Sequence, residues 1–140
     1  MTLLYLDTSA LARLYTREEG HEHVSAEYAR STGVVCHDNT FVEMASALGG
    51  RRRRKLMTEG MYAQAQRDFE ADWPTFRHVA TDPPLLSDAA RLAQSYGLRA
   101  YDAVHLAAAL ALVPLGVRFM TFDAALREVA RDVLPAVWEV

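Results

Sequence analysis

Leu3-Leu4-Tyr5-Leu6 is an unbroken apolar run that stops at Asp7, and a helical pattern runs from Ala10 to Tyr15. A short apolar run closed by a turn signal reads as a strand buried on both faces. Strands of that kind belong to parallel sheets covered by helices, which narrows the chain to the α/β class. Asp7 then stands at the strand's carboxyl end, the edge where open α/β sheets bind ligands. The plain alternative is that Asp7 only starts the helix, since Asp, Thr and Ser all cap orphan amides.

The same alternation continues down the chain. Val34-Val35-Cys36-His37, Phe76-Arg77-His78-Val79 and the run 117–122 read as further strands, and Ala136-Val137-Trp138 as a short edge strand. Between them helices are expected over 16–32, ended by Gly33, and over 41–48, capped by Asp38-Asn39-Thr40. Others are expected over 58–73, stopped by Pro74, and over 85–96, opened by Asp82-Pro83-Pro84 and closed by Gly97. The most apolar helix, 100–112, is broken by Pro114 and Gly116. Strands alternating with helices argue for βα units on a parallel sheet.

With 140 residues, one domain spanning 1–140 is expected, large enough to bury a real core. The net charge of −3 gives no overall attraction for nucleic acid, so any polyanion binding needs a local basic patch or a metal. No apolar stretch reaches the roughly 18 to 20 residues that span a bilayer, the nearest being interrupted by His105, Pro114 and Gly116. Met1-Thr2 leads straight into the strand without a basic leader, so a soluble, cytoplasmic protein is expected. The lone Cys36 excludes an internal disulfide and reads as a small buried hydrophobe.

Four carboxylates share a placement. Asp7 and Asp123 each follow a strand and precede a helix, Glu43 sits in the first turn of a helix after a strand, and Asp102 opens the most apolar helix. An unpartnered charge there is costly. Carboxyl ends of parallel strands lie on one edge, so these groups can converge, and such a cluster raises its own pKa values unless a cation neutralises it. Oxygen-only ligands select Mg²⁺ or Mn²⁺ over zinc. No Cys/His spacing, Gly-rich phosphate loop or nucleophilic Ser motif competes. The residues alone therefore lead to metal-dependent phosphodiester or phosphoryl chemistry.

The other polar side chains have plainer readings. His105, three residues after Asp102, reads as a satisfied core histidine, with hydrogen bonding to Asp102 or substrate as the alternative. His21 and His23 lie two apart, face different ways on a helix and read as solvated. Arg51-Arg52-Arg53-Arg54-Lys55 follows Gly49-Gly50 and reads as a solvated face or a polyanion surface. If the helix continues, Arg52 lies roughly 13 Å along the axis from Glu43, on the flank of a site rather than its floor.

In these blocks the chain resembles the PIN domain family, in particular the VapC-type ribonuclease toxins of bacterial and archaeal toxin–antitoxin pairs. The resemblance rests on Leu6-Asp7-Thr8-Ser9-Ala10-Leu11, Glu43-Met44-Ala45-Ser46-Ala47-Leu48, Tyr101-Asp102-Ala103-Val104-His105-Leu106-Ala107-Ala108-Ala109 and Thr121-Phe122-Asp123. It implies a three-layer α/β/α sandwich around a parallel sheet of about five strands. It implies an acidic site of Asp7, Glu43, Asp102 and Asp123, supported by the hydroxyls of Ser9 and Thr121. Asp7, Asp102 and Asp123 would serve a Mg²⁺ ion, or Mn²⁺ as a substitute, with Asp7 and Asp102 the first candidates for direct contact. The implied activity is endonucleolytic cleavage of RNA by metal-activated water, with Glu43 a candidate base. A homodimer and a cognate VapB-type antitoxin are implied as partners. The run Arg51, Arg52, Arg53, Arg54 and Lys55 is not part of the family pattern and stands as an RNA-binding candidate.

Rival readings fail on particular residues. A phosphatase of the haloacid dehalogenase type needs a second Asp two residues after the first, where Ser9 stands. A receiver-like phosphoacceptor needs a late Lys, and the only lysine is Lys55. The remaining alternative is a non-catalytic RNA- or protein-binding module that uses the basic run.

Overall fold

The computed structural model describes residues 2–139. Among them are four strands: β1 (Leu3–Leu6), β2 (Gly33–His37), β3 (Arg77–Val79) and β4 (Val117–Met120). The helices are α1 (Thr8–Ala12), α2 (His21–Arg30), α3 (Thr40–Arg53), α4 (Glu59–Asp72), α5 (Pro83–Tyr96), α6 (Ala100–Ala111) and α7 (Ala124–Val133). The strands form one parallel sheet in the order β3-β2-β1-β4. Every side chain of β1 is buried, as a strand covered on both faces requires, and successive residues point to opposite faces. Leu3 and Tyr5 pack with α5, α6 and α7, while Leu4 and Leu6 pack with α1, α2, α3 and α4. These two apolar layers on either side of the sheet make the α/β/α sandwich.

The strand order decides where a site can form. From β1 the chain moves to β2 and β3 on one side, then crosses to β4 on the other. The order therefore reverses between β1 and β4, and ligands of open α/β sheets bind in the crevice outside the strand ends at such a reversal. Asp7 follows β1 directly, and Thr121-Phe122-Asp123 follows β4.

Several expected boundaries shift. The fifth strand is a single parallel bridge between Phe119 and Val137, in which Phe119 N–H donates to Ala136 O at 3.0 Å and Trp138 N–H to Phe119 O at 2.8 Å. α7 runs to its cap at Leu134, and Pro135 has a fixed φ and no N–H, so pairing starts only at Ala136. The helix expected over 16–32 is confined to α2, because Gly20 turns the chain at φ 95° against Phe122. A Cβ there would lie 2.5 Å from that ring. Gly33 opens β2 instead of closing a helix. α3 does not stop at Leu48 but continues through Gly49-Gly50 to Arg53, each glycine costing about 1 kcal/mol of helix propensity. Gly97 closes α5 at φ 68°, as expected. No helix of the described residues is long and apolar enough to cross a membrane, and Cys36 is buried and unpaired.

α6 is the most deeply buried helix and packs most extensively on α5. Ala107, Ala108 and Ala109 are packed on successive sides of this helix, each being at most 1% exposed. Ala108→Leu should overpack this layer and cost about 1–3 kcal/mol, read as a lower urea midpoint. An unchanged midpoint would mean that the layer has room for three more carbons.

Candidate active site

Asp7 is 4% exposed, and a buried carboxylate requires donors. It has three. Oδ1 accepts from Ser9 Oγ at 2.7 Å and from Ala10 N–H at 3.0 Å, and Oδ2 accepts from Thr121 Oγ1 at 2.5 Å. The bond from Ala10 makes Asp7 the cap of α1, so the plain reading of this residue is met, and it is compatible with a functional one. Ser9 and Thr121 have one hydroxyl proton each and give it to Asp7. Their oxygens accept backbone amides of the loop after β4, Phe122 N–H at 2.9 Å and Asp123 N–H at 3.0 Å. The two strand ends are thereby tied across the crevice.

Asp123 stands in that loop and caps α7 through Oδ1, which accepts from Leu126 N–H at 3.0 Å. Its other oxygen faces Arg99, whose Nη2 is 3.8 Å away, and the Arg99 Nε lies 3.7 Å from Asp102 Oδ2. One guanidinium thus spans two carboxylates. Burial, followed by the charge of Asp123, raises the Asp102 carboxyl above the ordinary aspartate value. Arg99 opposes this, and Asp7 adds to it. Asp7, Asp102 and Asp123 therefore share one electrostatic field.

Glu43 enters from the other side of the crevice, in the first turn of α3. Its Oε1 lies 2.9 Å from His105 Nε2, and His105 Nδ1 lies 2.8 Å from the Tyr5 hydroxyl. Burial holds Tyr5 protonated. A neutral ring satisfies all three groups when Tyr5 donates to Nδ1 and Nε2–H donates to Glu43. The start of α3 is itself fixed by His37, whose Nδ1 accepts from Asn39 N–H at 3.1 Å and whose Nε2 meets Thr81 Oγ1 at 2.9 Å. Burial, then the nearby His105, lowers the His37 pKa, which preserves that acceptor.

Asp7, Asp102 and Asp123 thus gather at the crevice, and Glu43 borders a cleft of about 540 Å³ that also touches Thr8, Asn39, Ser46 and Tyr101. Among the described residues no three acidic, histidine or cysteine side chains are grouped closely enough to hold one ion between them. The donors are nevertheless carboxylate and hydroxyl oxygens in a field that disfavours further negative charge. That chemistry fits a magnesium-like cation, which uses one or two carboxylates and keeps water in its shell.

The sequence alone does not disclose the roles of Tyr5, Arg99 and His105. His105 is buried as a core histidine, yet its partners are Glu43 and Tyr5 rather than Asp102. The one signal is its position on the most apolar helix, where a polar ring needs two partners. The basic run divides: Arg52 pairs with Glu59 and lies 4.9 Å over Tyr62, whereas Arg51 pairs with Glu18 at 3.4 Å. Of the solvated histidines, His23 also packs its ring beside Trp138.

Asp102 supplies a pH prediction. Its native pKa lies above the unfolded one, so its ionisation opposes folding fully above the native pKa and not at all below the unfolded pKa. Asp102→Asn should therefore raise the thermal midpoint at neutral pH. The gain should shrink as pH falls through the native pKa of Asp102. A variant less stable than wild type at neutral pH would contradict this.

A family model for the PIN domain matches residues 4–132. The chain is 34% identical over 123 residues to "Ribonuclease VapC45" of Mycobacterium tuberculosis strain CDC 1551 / Oshkosh, covering 88% of this chain and 85% of that protein. The fold is similar to the crystal structure of FitAcB from Neisseria gonorrhoeae, with a TM-score of 0.72, 20% identity and coverage of 97% and 96% of the two chains. It is also similar to a toxin-antitoxin complex from Klebsiella pneumoniae, with a TM-score of 0.66, 22% identity and coverage of 99% and 97%. With the family model spanning nearly the whole sheet and a VapC relative matching over most of its length, the chain belongs to the PIN domain family, in its VapC-type branch.

Proposed function

We propose that this chain is a Mg²⁺-dependent endoribonuclease and the toxin of a VapBC-type toxin–antitoxin pair. The observation that carries the reading is the placement of Asp7 and Asp123 at the β1 and β4 ends of the strand-order reversal, with Arg99 reaching both Asp123 and Asp102 there. The ribonuclease name of the Mycobacterium tuberculosis relative and the toxin-antitoxin title of the Klebsiella pneumoniae neighbour support it. A cognate antitoxin and a homodimer are part of the reading, and Mn²⁺ is the expected substitute metal.

Asp7 and Asp102 would be the direct ligands of the cation, with Asp123 adding its charge to the same field; the bound ion would polarise the phosphate and stabilise the leaving oxygen. Ser9 and Thr121 fix Asp7 in position by donating to it. Glu43 Oε1 is occupied by His105, which leaves Oε2 to take the proton of the attacking water. Tyr5 and His105 set the direction of that carboxylate from beneath. The basic run 51–55 would contact RNA phosphates on the flank.

The test is cleavage of structured RNAs, tRNA mixtures included, by purified protein with Mg²⁺ or Mn²⁺. Asp7→Asn and Asp102→Asn should each lower the rate by at least about 100-fold, and EDTA should abolish it reversibly. RNA binding that persists unchanged in all three, with no cleavage by wild type, would favour the non-catalytic module. His105→Phe should lower kcat by about 10- to 100-fold with little change in KM, because misplacing a reacting group costs rate more than binding. A change confined to KM would remove His105 from the positioning of Glu43.

A further inference from the structure

The tetra-arginine run does not act as one surface. Because α3 extends to Arg53, successive side chains point to different sides of the helix. Arg52 turns towards Glu59 and Tyr62. Arg51 and Arg54 instead line a second pocket of about 230 Å³ together with Thr8, Ser9, Arg13 and Glu18. Thr8 and Ala47 line both this pocket and the cleft beside Glu43, so the two cavities adjoin. Glu43, Ala47 and Arg51 follow one another at i, i+4 on a single stripe of α3, which places Arg51 about 12 Å along the axis from Glu43.

The pocket is built for an anion. Three arginines and one carboxylate line it, the carboxylate being Glu18, which lies 3.4 Å from Arg51 Nη1 and 3.9 Å from Arg13 Nη2. Arg13 is fixed by donating to Ser9 O at 2.6 Å and Glu19 O at 2.8 Å, and its guanidinium lies 4.0 Å over the Phe122 ring. Two polar atoms of lining residues, Arg51 Nε and Thr8 Oγ1, are buried without a hydrogen-bond partner. Buried polar groups are almost always paired, and an orphaned guanidinium N–H calls for an acceptor. Arg54 is exposed, and its one side-chain hydrogen bond among the described residues runs from Nε to Gly50 O at 3.3 Å, so its side chain can close over an occupant. A guanidinium fork matches the two free oxygens of a phosphodiester.

We propose that this pocket is a phosphodiester-binding subsite that holds an RNA phosphate flanking the bond cut at the acidic crevice. Arg51 and Arg54 are its anion ligands, with Arg13 and Thr8 as supporting donors. The RNA assignment rests on the nuclease reading, whereas the anion chemistry of the pocket does not.

Two measurements separate these. In wild-type protein, the ¹⁵N–¹H resonance of Arg51 Nε is followed during a millimolar titration with inorganic phosphate at constant ionic strength. It should shift and saturate while that of Arg91, on the far helix α5, stays still. No shift at Arg51 overturns the site. In an Asp7→Asn background that cannot cleave, binding of a fluorescein-labelled single-stranded RNA of mixed sequence is measured across a salt series. Arg51→Gln with Arg54→Gln should weaken binding about 10-fold and flatten the salt slope by about 0.7, the value for one phosphate no longer neutralised. Arg54→Gln alone, at a solvent-exposed side chain, should show part of the same effect with the fold intact. A phosphate shift with RNA affinity and slope unchanged in both variants overturns the RNA assignment and leaves an acidic protein segment as occupant. Cleavage and RNA binding absent from wild type, with the Arg51 shift present, would instead count against the nuclease reading.

Discussion

The structure depends on the hydroxyls that hold Asp7. A carboxylate in a nearly dry strand end would normally take up a proton or disrupt its surroundings, and Asp7 is kept in place by Ser9, Thr121 and the Ala10 amide. Those hydroxyls also accept the amides of Phe122 and Asp123. The bonds that stabilise the buried charge are therefore the ones that join the β1 and β4 ends and carry Asp123 to the crevice. Remove the donors and the third acidic residue loses its placement along with the first.

Buried parallel strands are legible because their signal is local: four apolar residues and a stop mark β1, and the switch-point rule converts that stop into a site. Asp7, Glu43 and Asp123 follow from this, each standing at or just after a strand-to-helix junction. Asp102 does not, since α6 follows a helix, and only family resemblance and the cost of its charge point to it. The chain from Tyr5 through His105 to Glu43 joins residues 100 and 62 positions apart, and no local pattern encodes such a pairing. Arg99 is hidden for a different reason. Its contacts are long and its side chain is 85% exposed, so in sequence it is one more surface arginine. Three of the boundaries that shift, at Gly20, Gly33 and Gly49-Gly50, concern glycine, whose meaning is set by the surroundings of its backbone rather than by its neighbours in sequence.

Arg99 also shows why the acidic field persists. An exposed guanidinium at 3.7 and 3.8 Å from two carboxylates is a weak, screened contact, and Asp102 remains raised despite it. Arg99 meets Asp123 at Oδ2, while Oδ1 is engaged as a helix cap. The acidic side chains thus differ in how far the fold engages them: both oxygens of Asp7 accept hydrogen bonds, whereas Asp123 caps α7 with one oxygen and meets Arg99 with the other.

α3 carries the same economy along its length. Glu43 in its first turn and Arg51, Arg52 and Arg53 in its last complement the helix macrodipole, so every one of them has a sufficient structural reason to be there. The same placement sets a carboxylate beside the acidic crevice at one end and guanidiniums beside the second pocket at the other, with Ala47 leaving the stripe between them open. A polyanionic strand lying along this stripe would find repulsion at the carboxylates relieved by a cation and attraction at the arginines. Its direction across the crevice would then be fixed by the polarity of a single helix.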